Sequence, residues 1–463
     1  MNLAAIKITE SVREEVLQYL FSKPGEHFGF LSANAYPSTK GPVFLVREFL
    51  PIRDELVSVS NEGWEVHTEA ILEVVNHAVL NQRALIEVHN HATGIAQFST
   101  IDRDGLEQFI PYILDSLPGR PYGATVWTLS DVYGEYFETS ARGNPVRSIT
   151  TVGASFTQLN AGPGKAVLDP RFIRQESWLT SAGQAALGKL RIGIVGLGGT
   201  GSLVVQNLAY LGIQDFVLVD GDDAEESNMN RLVTASFADM ETPKTILGRR
   251  LIRGINPKAS VMALRADLRT LPVIALLKEV DVIFGCVDND GARLVLNELC
   301  RAYYIPLFDL GVGLDAEDGK VISAGGRVVS AIPEGPCLHC LGEIDQNEAR
   351  YLLSSSKEQE VEHRLGYVEG LDVPAPAVIS LNATIASIAV NEFTVFITGA
   401  RPLNYLLDYD MLGMAYSVPS QRLDPRTSTR KTGCVQCSIE GEGDEAQIER
   451  YVKISKTGDT QND

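Results

Sequence analysis

His89-Asn90-His91, then seven residues, then Ser99-Thr100-Ile101-Asp102 is a run of side chains able to hold a metal ion. Histidines at i and i+2 on an extended segment project to the same side, so both rings can reach one ion. A downstream aspartate adds a carboxylate oxygen. Two nitrogens and one oxygen with an open fourth position form the donor set of a catalytic zinc site. Such an ion lowers the pKa of bound water toward neutrality. The competing reading is a histidine-rich turn capped by Ser99 and Asp102.

A second set is built for phosphate. Gly196-Leu197-Gly198-Gly199-Thr200-Gly201 follows the apolar run LRIGIV and opens a predicted helix. Glycines allow the tight turn and close backbone approach, and the helix N-terminus offers amides to an anion. Asp220 closes the next apolar run, 24 residues after Gly196, where an acid can hold a ribose. Alone, this pattern fits any nucleotide or dinucleotide, an NAD-linked oxidoreductase included. A third set is Cys337-Leu338-His339-Cys340 with Cys434-Val435-Gln436-Cys437. Four thiolates make a closed tetrahedral site, hence a structural zinc; redox dithiols are the alternative.

These sets need elements to position them. The chain has 463 residues, enough for two or three domains, with 44% apolar and 21% charged residues. A net charge of -19 opposes a phosphate backbone, so nucleic acid is an unexpected partner. The N-terminus carries no long apolar run, and the apolar stretch 375–396 contains Asn382, Asn391 and Glu392, which favours a buried helix over a membrane span. A cytoplasmic protein with no membrane partner is expected. Residues 64–80 carry apolar positions on one helical face, and Ala84–Val88 reads as a short strand leading into the histidines. From about residue 171 to 437, strands (LRIGIV, FVLVD, VDVIF) alternate with helices, as in an α/β fold with a mostly parallel sheet. The expected divisions are a domain over 1–145, a linker over 146–170, an α/β domain over 171–440, and a polar, disordered tail over 441–463.

Further residues carry two resemblances. Glu26-His27-Phe28-Gly29-Phe30-Leu31 fits the Glu-x-x-Gly-x-Leu context that, with the His-x-His and Ser-x-x-Asp elements, resembles the JAMM (JAB/MPN) metalloproteases. Ala92 stands where members often have proline. This resemblance implies a smaller α+β domain of the cytidine-deaminase-like kind, with His89, His91 and Asp102 as zinc ligands, Glu26 as general acid/base and Ser99 as hydrogen-bond donor to the oxyanion. The second rests on Arg171-Phe172-Ile173-Arg174-Gln175, Gly183-Gln184, Asp220-Gly221-Asp222, Ser227-Asn228-Met229-Asn230-Arg231, Pro243-Lys244 and Cys286-Val287-Asp288-Asn289, in that order. It is similar to the ThiF/MoeB and ubiquitin-activating family and implies a Rossmann-like adenylation domain.

By that resemblance Gly196, Gly198, Gly199 and Gly201 cradle ATP. Asp220 holds the ribose with Asn228 nearby, and Asp222 is a further polar contact. Arg231 and Lys244 neutralise the triphosphate, and Asp288 holds Mg²⁺. Arg174 would reach the nucleotide of a neighbouring subunit, implying a homodimer, and Cys337, Cys340, Cys434 and Cys437 would hold structural zinc. The implied partners are a ubiquitin-like protein and a ubiquitin-conjugating-enzyme-like protein, and the fusion suggests a bacterial source. No cysteine lies between Leu341 and Gly433 to form a thioester; the serines Ser354, Ser355 and Ser356 cannot, and Cys286 and Cys300 read as packing residues. Activation of a sulfur carrier, an NAD-linked oxidoreductase and a non-catalytic scaffold that binds a modifier are the alternatives.

Overall fold

The computed structural model describes residues 3–60, 63–91, 94–139, 142–160, 169–354, 359, 378–413 and 430–453. The chain divides into two compact units, Met1–Lys165 with Glu440–Glu445, and Ala166–Ile439 with Ala446–Asp463.

In the first unit the strands are β1 (Ala4–Thr9), β2 (Phe28–Ser38), β3 (Gly41–Pro51), β4 (Val57–Ser60), β5 (Gly63–Val66), β6 (Ala84–Asn90), β7 (Tyr122–Trp127), β8 (Val132–Phe137), β9 (Asn144–Val152) and β10 (Phe156–Asn160). Helices α1 (Glu10–Leu20), α2 (Thr68–Leu80) and α3 (Thr100–Ser116) join them. Eight strands form one sheet in the order β1-β3-β2-β6-β7-β8-β9-β10, and β4 pairs with β5 apart from it. Strand β6 is buried on both faces. Ile86 and Val88 pack into a cluster with Leu20, Phe44 and Trp127, while Leu85 faces Val74, Ala78, Leu106 and Ile110 of α2 and α3. Two-sided burial explains its nearly unbroken apolar run.

β9 also pairs in parallel with β1, from Ala5 opposite Ser148 to Thr9 opposite Val152, so the sheet closes on itself. The first unit combines strands and helices as expected of an α+β domain, in the form of a strand-rich, barrel-like sheet with three helices. One expectation changes here. The linker expected over 146–170 is strand up to Asn160, and 161–168 lie outside the described residues. Its Ser, Thr and Asn content reads as loop, yet Val146, Ile149 and Val152 are buried, as are Ser148, Thr150 and Thr151. β-Branched residues suit a pleated surface, and the ladder satisfies the backbone that a polar loop would leave to water.

The second unit is a seven-stranded sheet of β11 (Arg191–Val195), β12 (Asp215–Asp220), β13 (Ser260–Arg265), β14 (Val282–Gly285), β15 (Leu307–Glu317), β16 (Lys320–Ala331) and β17 (Leu406–Asp410). Its order is β13-β12-β11-β14-β15-β16-β17, parallel through β15 and antiparallel beyond. The helices are α4 (Glu176–Leu187), α5 (Gly199–Leu211), α6 (Lys244–Ile255), α7 (Leu271–Leu277), α8 (Asp290–Ala302), α9 (Leu338–Leu341), α10 (Gln346–Leu353), α11 (Ile379–Thr398) and α12 (Val435–Ser438). The order reverses between β11 and β14, a switch point where α/β sheets open a crevice at the carboxyl ends of their strands. α11 is long and apolar enough by composition to span a bilayer, but 61% of its apolar window is buried within the fold. Phe393 meets the rings of Phe284 and Phe308 with centroids 5.5 and 5.9 Å away.

The disordered tail expected over 441–463 is ordered as far as Lys453, and 454–463 lie outside the described residues. Within the first unit, Asn34 Nδ2 donates to the Gly441 carbonyl at 3.0 Å and Arg47 pairs with Glu442 at 2.9 Å. Within the second, Lys453 N donates to the Arg269 carbonyl at 2.9 Å and Arg450 pairs with Glu298. Specific partners order a polar segment that composition alone assigns to solvent.

Ile149→Ala tests the strand assignment of β9. The side chain is 4% exposed, and its truncation is expected to destabilise the first unit by about 2–4 kcal/mol in urea unfolding of the full chain. A linker residue would change stability by less than about 0.5 kcal/mol.

Candidate functional site

The metal-ligating residues of the first unit come together through strand register. Phe28 stands opposite His89 in the antiparallel β2–β6 pair, which brings the residues before β2 alongside those that end β6. Asn90, between the histidines, stitches the two segments. Its Oδ1 accepts from His27 N at 2.6 Å and its Nδ2 donates to the Gly25 carbonyl at 3.1 Å. Glu26 therefore lies beside His91, with Oε1 3.9 Å from Nε2.

Asp102 arrives from α3. Ser99 caps that helix: its Oγ accepts from Asp102 N at 3.2 Å, and Asp102 Oδ2 accepts from Ser99 N at 2.6 Å. This capping box fixes the carboxylate. Asp102 Oδ2 lies 3.4 Å from His91 Nε2, and Oδ1 lies 3.6 Å from His89 Nε2. Donors at tetrahedral angles around an ion with bonds near 2.05 Å would stand about 3.4 Å apart; the three ligand atoms here lie within 4.8 Å of one another, close enough to hold a metal ion. Ala92 lies outside the described residues.

A residue that sequence reading passed over completes this cluster. Glu87, 6% exposed on β6, places Oε1 3.4 Å from His89 Nδ1 and accepts at Oε2 from the Tyr122 hydroxyl at 2.9 Å. A carboxylate behind a metal-binding histidine fixes the ring and its tautomer. Burial opposes charge on His89, but Asp102 and Glu87 outweigh it and hold the imidazole pKa up at about 9. Burial likewise works to raise the Asp102 carboxyl, yet His89 and Ser99 keep it below the ordinary carboxylate range. The i−2 spacing of Glu87 from His89 was a usable signal, since it places both on one face of the strand. His67 and His77 are elsewhere, bonded to Ser58 at 2.7 Å and Glu48 at 2.9 Å.

In the second unit the glycine loop sits at the switch point. Gly196 has φ +86°, and a Cβ there would stand 2.4 Å from the Cys286 carbonyl oxygen. A Cβ on Gly201 would stand 1.9 Å from the Gly196 carbonyl oxygen. No other residue satisfies either position without moving backbone. Gly198 caps α5, whose first turn starts at Gly199.

Asp220, at the end of β12, accepts from Leu197 N at 2.6 Å and Asp222 N at 2.8 Å. Burial raises its carboxyl above the ordinary range. Lys244, the first residue of α6, pairs with Asp222 at 2.9 Å. Arg231 donates to the Ser227 carbonyl at 2.6 Å, and its Cδ lies 3.1 Å from a Cβ built on Gly199. Asn228 Oδ1 is buried with no hydrogen-bond partner among the described residues, an acceptor left for a hydroxyl.

Asp288 is exposed just beyond β14 and accepts from Asn289 Nδ2 at 3.2 Å. Its loop is pinned by Arg293, which donates to the Val287 carbonyl at 3.1 Å and pairs with Asp290 at 2.6 Å. Arg293 had no sequence signal, being one of two arginines on its helix with no motif around it. Arg174 is exposed between Phe172 and α4. Desolvation and Asp309 push the Cys286 thiol up, and Cys300 is 2% exposed, so neither is poised as a nucleophile. Ser354 ends α10, while Ser355 and Ser356 lie outside the described residues.

The four knuckle cysteines converge. Cys337 Sγ lies 3.7 Å from both Cys340 Sγ and Cys434 Sγ, and Cys340 Sγ lies 3.6 Å from Cys437 Sγ. Disulfide sulfurs would stand at about 2.05 Å, whereas thiolates around an ion with 2.3 Å bonds stand about 3.8 Å apart. The spacing fits a tetrahedral metal. Asn297 of α8 holds both knuckles, accepting from Leu338 N at 3.0 Å and donating to Gln436 Oε1.

A doubly wound sheet whose glycine loop, acid and cation gather where the strand order reverses is a nucleotide-binding domain. The sequence profile of the ThiF family matches residues 172–438, and the chain belongs to that family. It is 34% identical over 159 residues to the SAMP-activating enzyme E1 of Haloferax volcanii, covering 34% of this chain and 56% of that protein. It is 34% identical over 164 residues to the molybdopterin-synthase adenylyltransferase of Escherichia coli, covering 35% of this chain and 62% of that protein. The chain thus spans less than two thirds of the length of these relatives, 56% and 62%. A solved structure of E. coli MccB with ATP covers 53% of this chain and 69% of that chain at 21% identity, with a TM-score of 0.42.

Cobalt(II) added to the metal-stripped chain is expected to give the absorption of a tetrahedral thiolate centre. Cys434→Ser should weaken that absorption, and His89→Ala should leave it unchanged. Equal loss in both variants would contradict two independent metal clusters.

Proposed function

We propose that the second unit uses ATP to adenylate the C-terminal carboxylate of a ubiquitin-like or sulfur-carrier protein, and that the first unit is a JAMM-like peptidase acting on the same kind of tail. The first half is carried by the meeting of the Gly196–Gly201 loop, Asp220 and Arg231 at the switch point. ThiF-family membership and relatives named as an activating enzyme and an adenylyltransferase support it.

ATP lies with its phosphates over the first amides of α5, where the helix dipole favours negative charge. Asp220 accepts from the ribose hydroxyls, and Asn228 Oδ1 from a neighbouring hydroxyl. The tail carboxylate oxygen attacks the α-phosphorus, forming a C–O–P bond as the bond to pyrophosphate breaks. Charge then builds on the leaving oxygens. Arg231 neutralises it, and so does Lys244 once it exchanges Asp222 for phosphate. The exposed Asp288 carboxylate, steadied by Asn289, fits Mg²⁺, which supplies charge neutralisation to the triphosphate when bound. Arg174 acts from the second copy of a homodimer. Cys337, Cys340, Cys434 and Cys437 hold structural zinc.

In the first unit, His89, His91 and Asp102 hold zinc, which when bound supplies the Lewis acidity that activates water near neutral pH. Glu26 takes the proton from that water and returns it to the departing amine. Ser99 Oγ accepts from Asp102 N, so its own proton is available to a developing oxyanion. Trimming a precursor and removing the modifier from a target are both within this chemistry. A ubiquitin-conjugating-enzyme-like protein is the proposed acceptor when the adenylate serves conjugation. A second reading, direct delivery of the adenylate to a sulfur donor, is favoured by the absence of any cysteine between Leu341 and Gly433.

Two measurements separate the halves. ATP–pyrophosphate exchange that depends on added ubiquitin-like or sulfur-carrier protein is expected to fall about 100-fold in Asp288→Ala. Exchange without any such protein, or unchanged in the variant, contradicts the adenylation reading. Glu26→Gln is expected to abolish cleavage of precursor or conjugate while exchange continues, and persistent cleavage would falsify the peptidase reading.

A further inference from the structure

α11 contributes an unexpected polar group to the nucleotide loop. Asn382 lies in its first turn and is 3% exposed. A Cβ built on Gly199 would stand 2.2 Å from Asn382 Nδ2 and 3.1 Å from Arg231 Cδ. The amide of Asn382, the stem of Arg231 and the first residue of α5 therefore meet around one point. Among the described residues the Asn382 side chain makes no hydrogen bond, although its own backbone N–H is bonded to the Val378 carbonyl at 3.1 Å. With no protein partner, the amide of this largely buried residue keeps its hydrogen-bonding capacity for water or a ligand.

The setting says what kind of group that is. Leu381 and Ile385 beside Asn382 are buried. An apolar residue would pack at that position with no desolvation penalty. The open N–H groups of the α5 terminus and the Arg231 guanidinium all favour an anion. An amide adds a donor there with no charge of its own, suiting an oxygen whose charge is already neutralised by the cation.

We propose that Asn382 is a nucleotide-binding residue, whose Nδ2 donates to an α-phosphate oxygen of ATP and of the adenylate made from it. This rests on the adenylation reading and adds to it a contact from the C-terminal half of the family-matched region. The α-phosphate is the fitting partner because Asn382 abuts Gly199 at the start of α5, beside the stem of Arg231 and not its guanidinium. The glycine at 199 follows from the same contact, since any Cβ would occupy the place of the amide.

The test is equilibrium binding of ATP with Mg²⁺, and of AMP, to the full chain and to Asn382→Ala. Both nucleotides are expected to bind about 10-fold more weakly, the scale of one lost hydrogen bond to a charged group. Asn382→Asp, of equal size but negative, is expected to weaken both further. Asn382→Leu fills the space without a donor and serves if the alanine variant does not fold; it should match the expected alanine loss while the melting temperature without nucleotide is maintained. Unchanged ATP and AMP binding in these variants overturns the proposal, as does loss of ATP binding alone, which would place the contact on the β- or γ-phosphate. Failure of the unsubstituted chain to bind ATP would instead sink the adenylation reading beneath it.

Discussion

Where Gly196 passes beneath the Cys286 carbonyl, the chain turns with φ +86° and leaves no room for a side chain. That contact joins β11 to the loop after β14, the two strands between which the sheet reverses its order. A bulkier residue would separate them and close the crevice from within. The turn aims α5 so that its free amides face that crevice, and it lets Leu197 N reach Asp220 at 2.6 Å. Anion binding by a helix terminus works only with the backbone this near. On the proposed adenylation reading, this turn sets where a phosphate would lie relative to Arg231, Lys244 and Asp288.

The two clusters that could hold a metal ion differ in their donors. Four cysteines from two short segments, tied by Asn297, make a closed set with every donor directed inward. That is the arrangement of an ion that holds a fold together. His89, His91 and Asp102 supply three donors, and Glu26 stands 3.9 Å from His91 with a side chain 42% exposed. Three donors beside a solvent-reached carboxylate are the features on which the proposed peptidase reading rests. Glu87 and Tyr122 behind His89 extend the same cluster into the core.

Much of this was legible in the chain because it is local. The glycine loop, the His-x-His pair and the Cys-x-x-Cys knuckles are readable as motifs because they depend on neighbours a few residues away, and the alternating strands and helices of the second unit took the expected place. Less visible was what depends on long-range pairing. The start of the expected linker over 146–170 read as a connection for its Gly, Thr, Ser and Asn content, yet pairing of β9 with β1 and of β10 with β9 makes most of 146–160 strand. Residues 441–453 read as a tail, yet Arg47 and Asn34 hold one part and Arg269 and Glu298 hold the other. Asn382 looked only like a reason to reject a membrane span.

By itself the sequence determined which residue types were present in which order, and hence the α/β class of the second unit and the candidate ligands of both. Only the tertiary structure decided that β1 and β9 close the first sheet, that Glu87 stands behind His89, and that Asn382 lies against Gly199. The physical reason is the range of the forces concerned. Turn sterics and side-chain periodicity act within a few residues and leave their mark in spacing. Ladder pairing and the burial of a polar group are settled by whatever the fold brings from far along the chain.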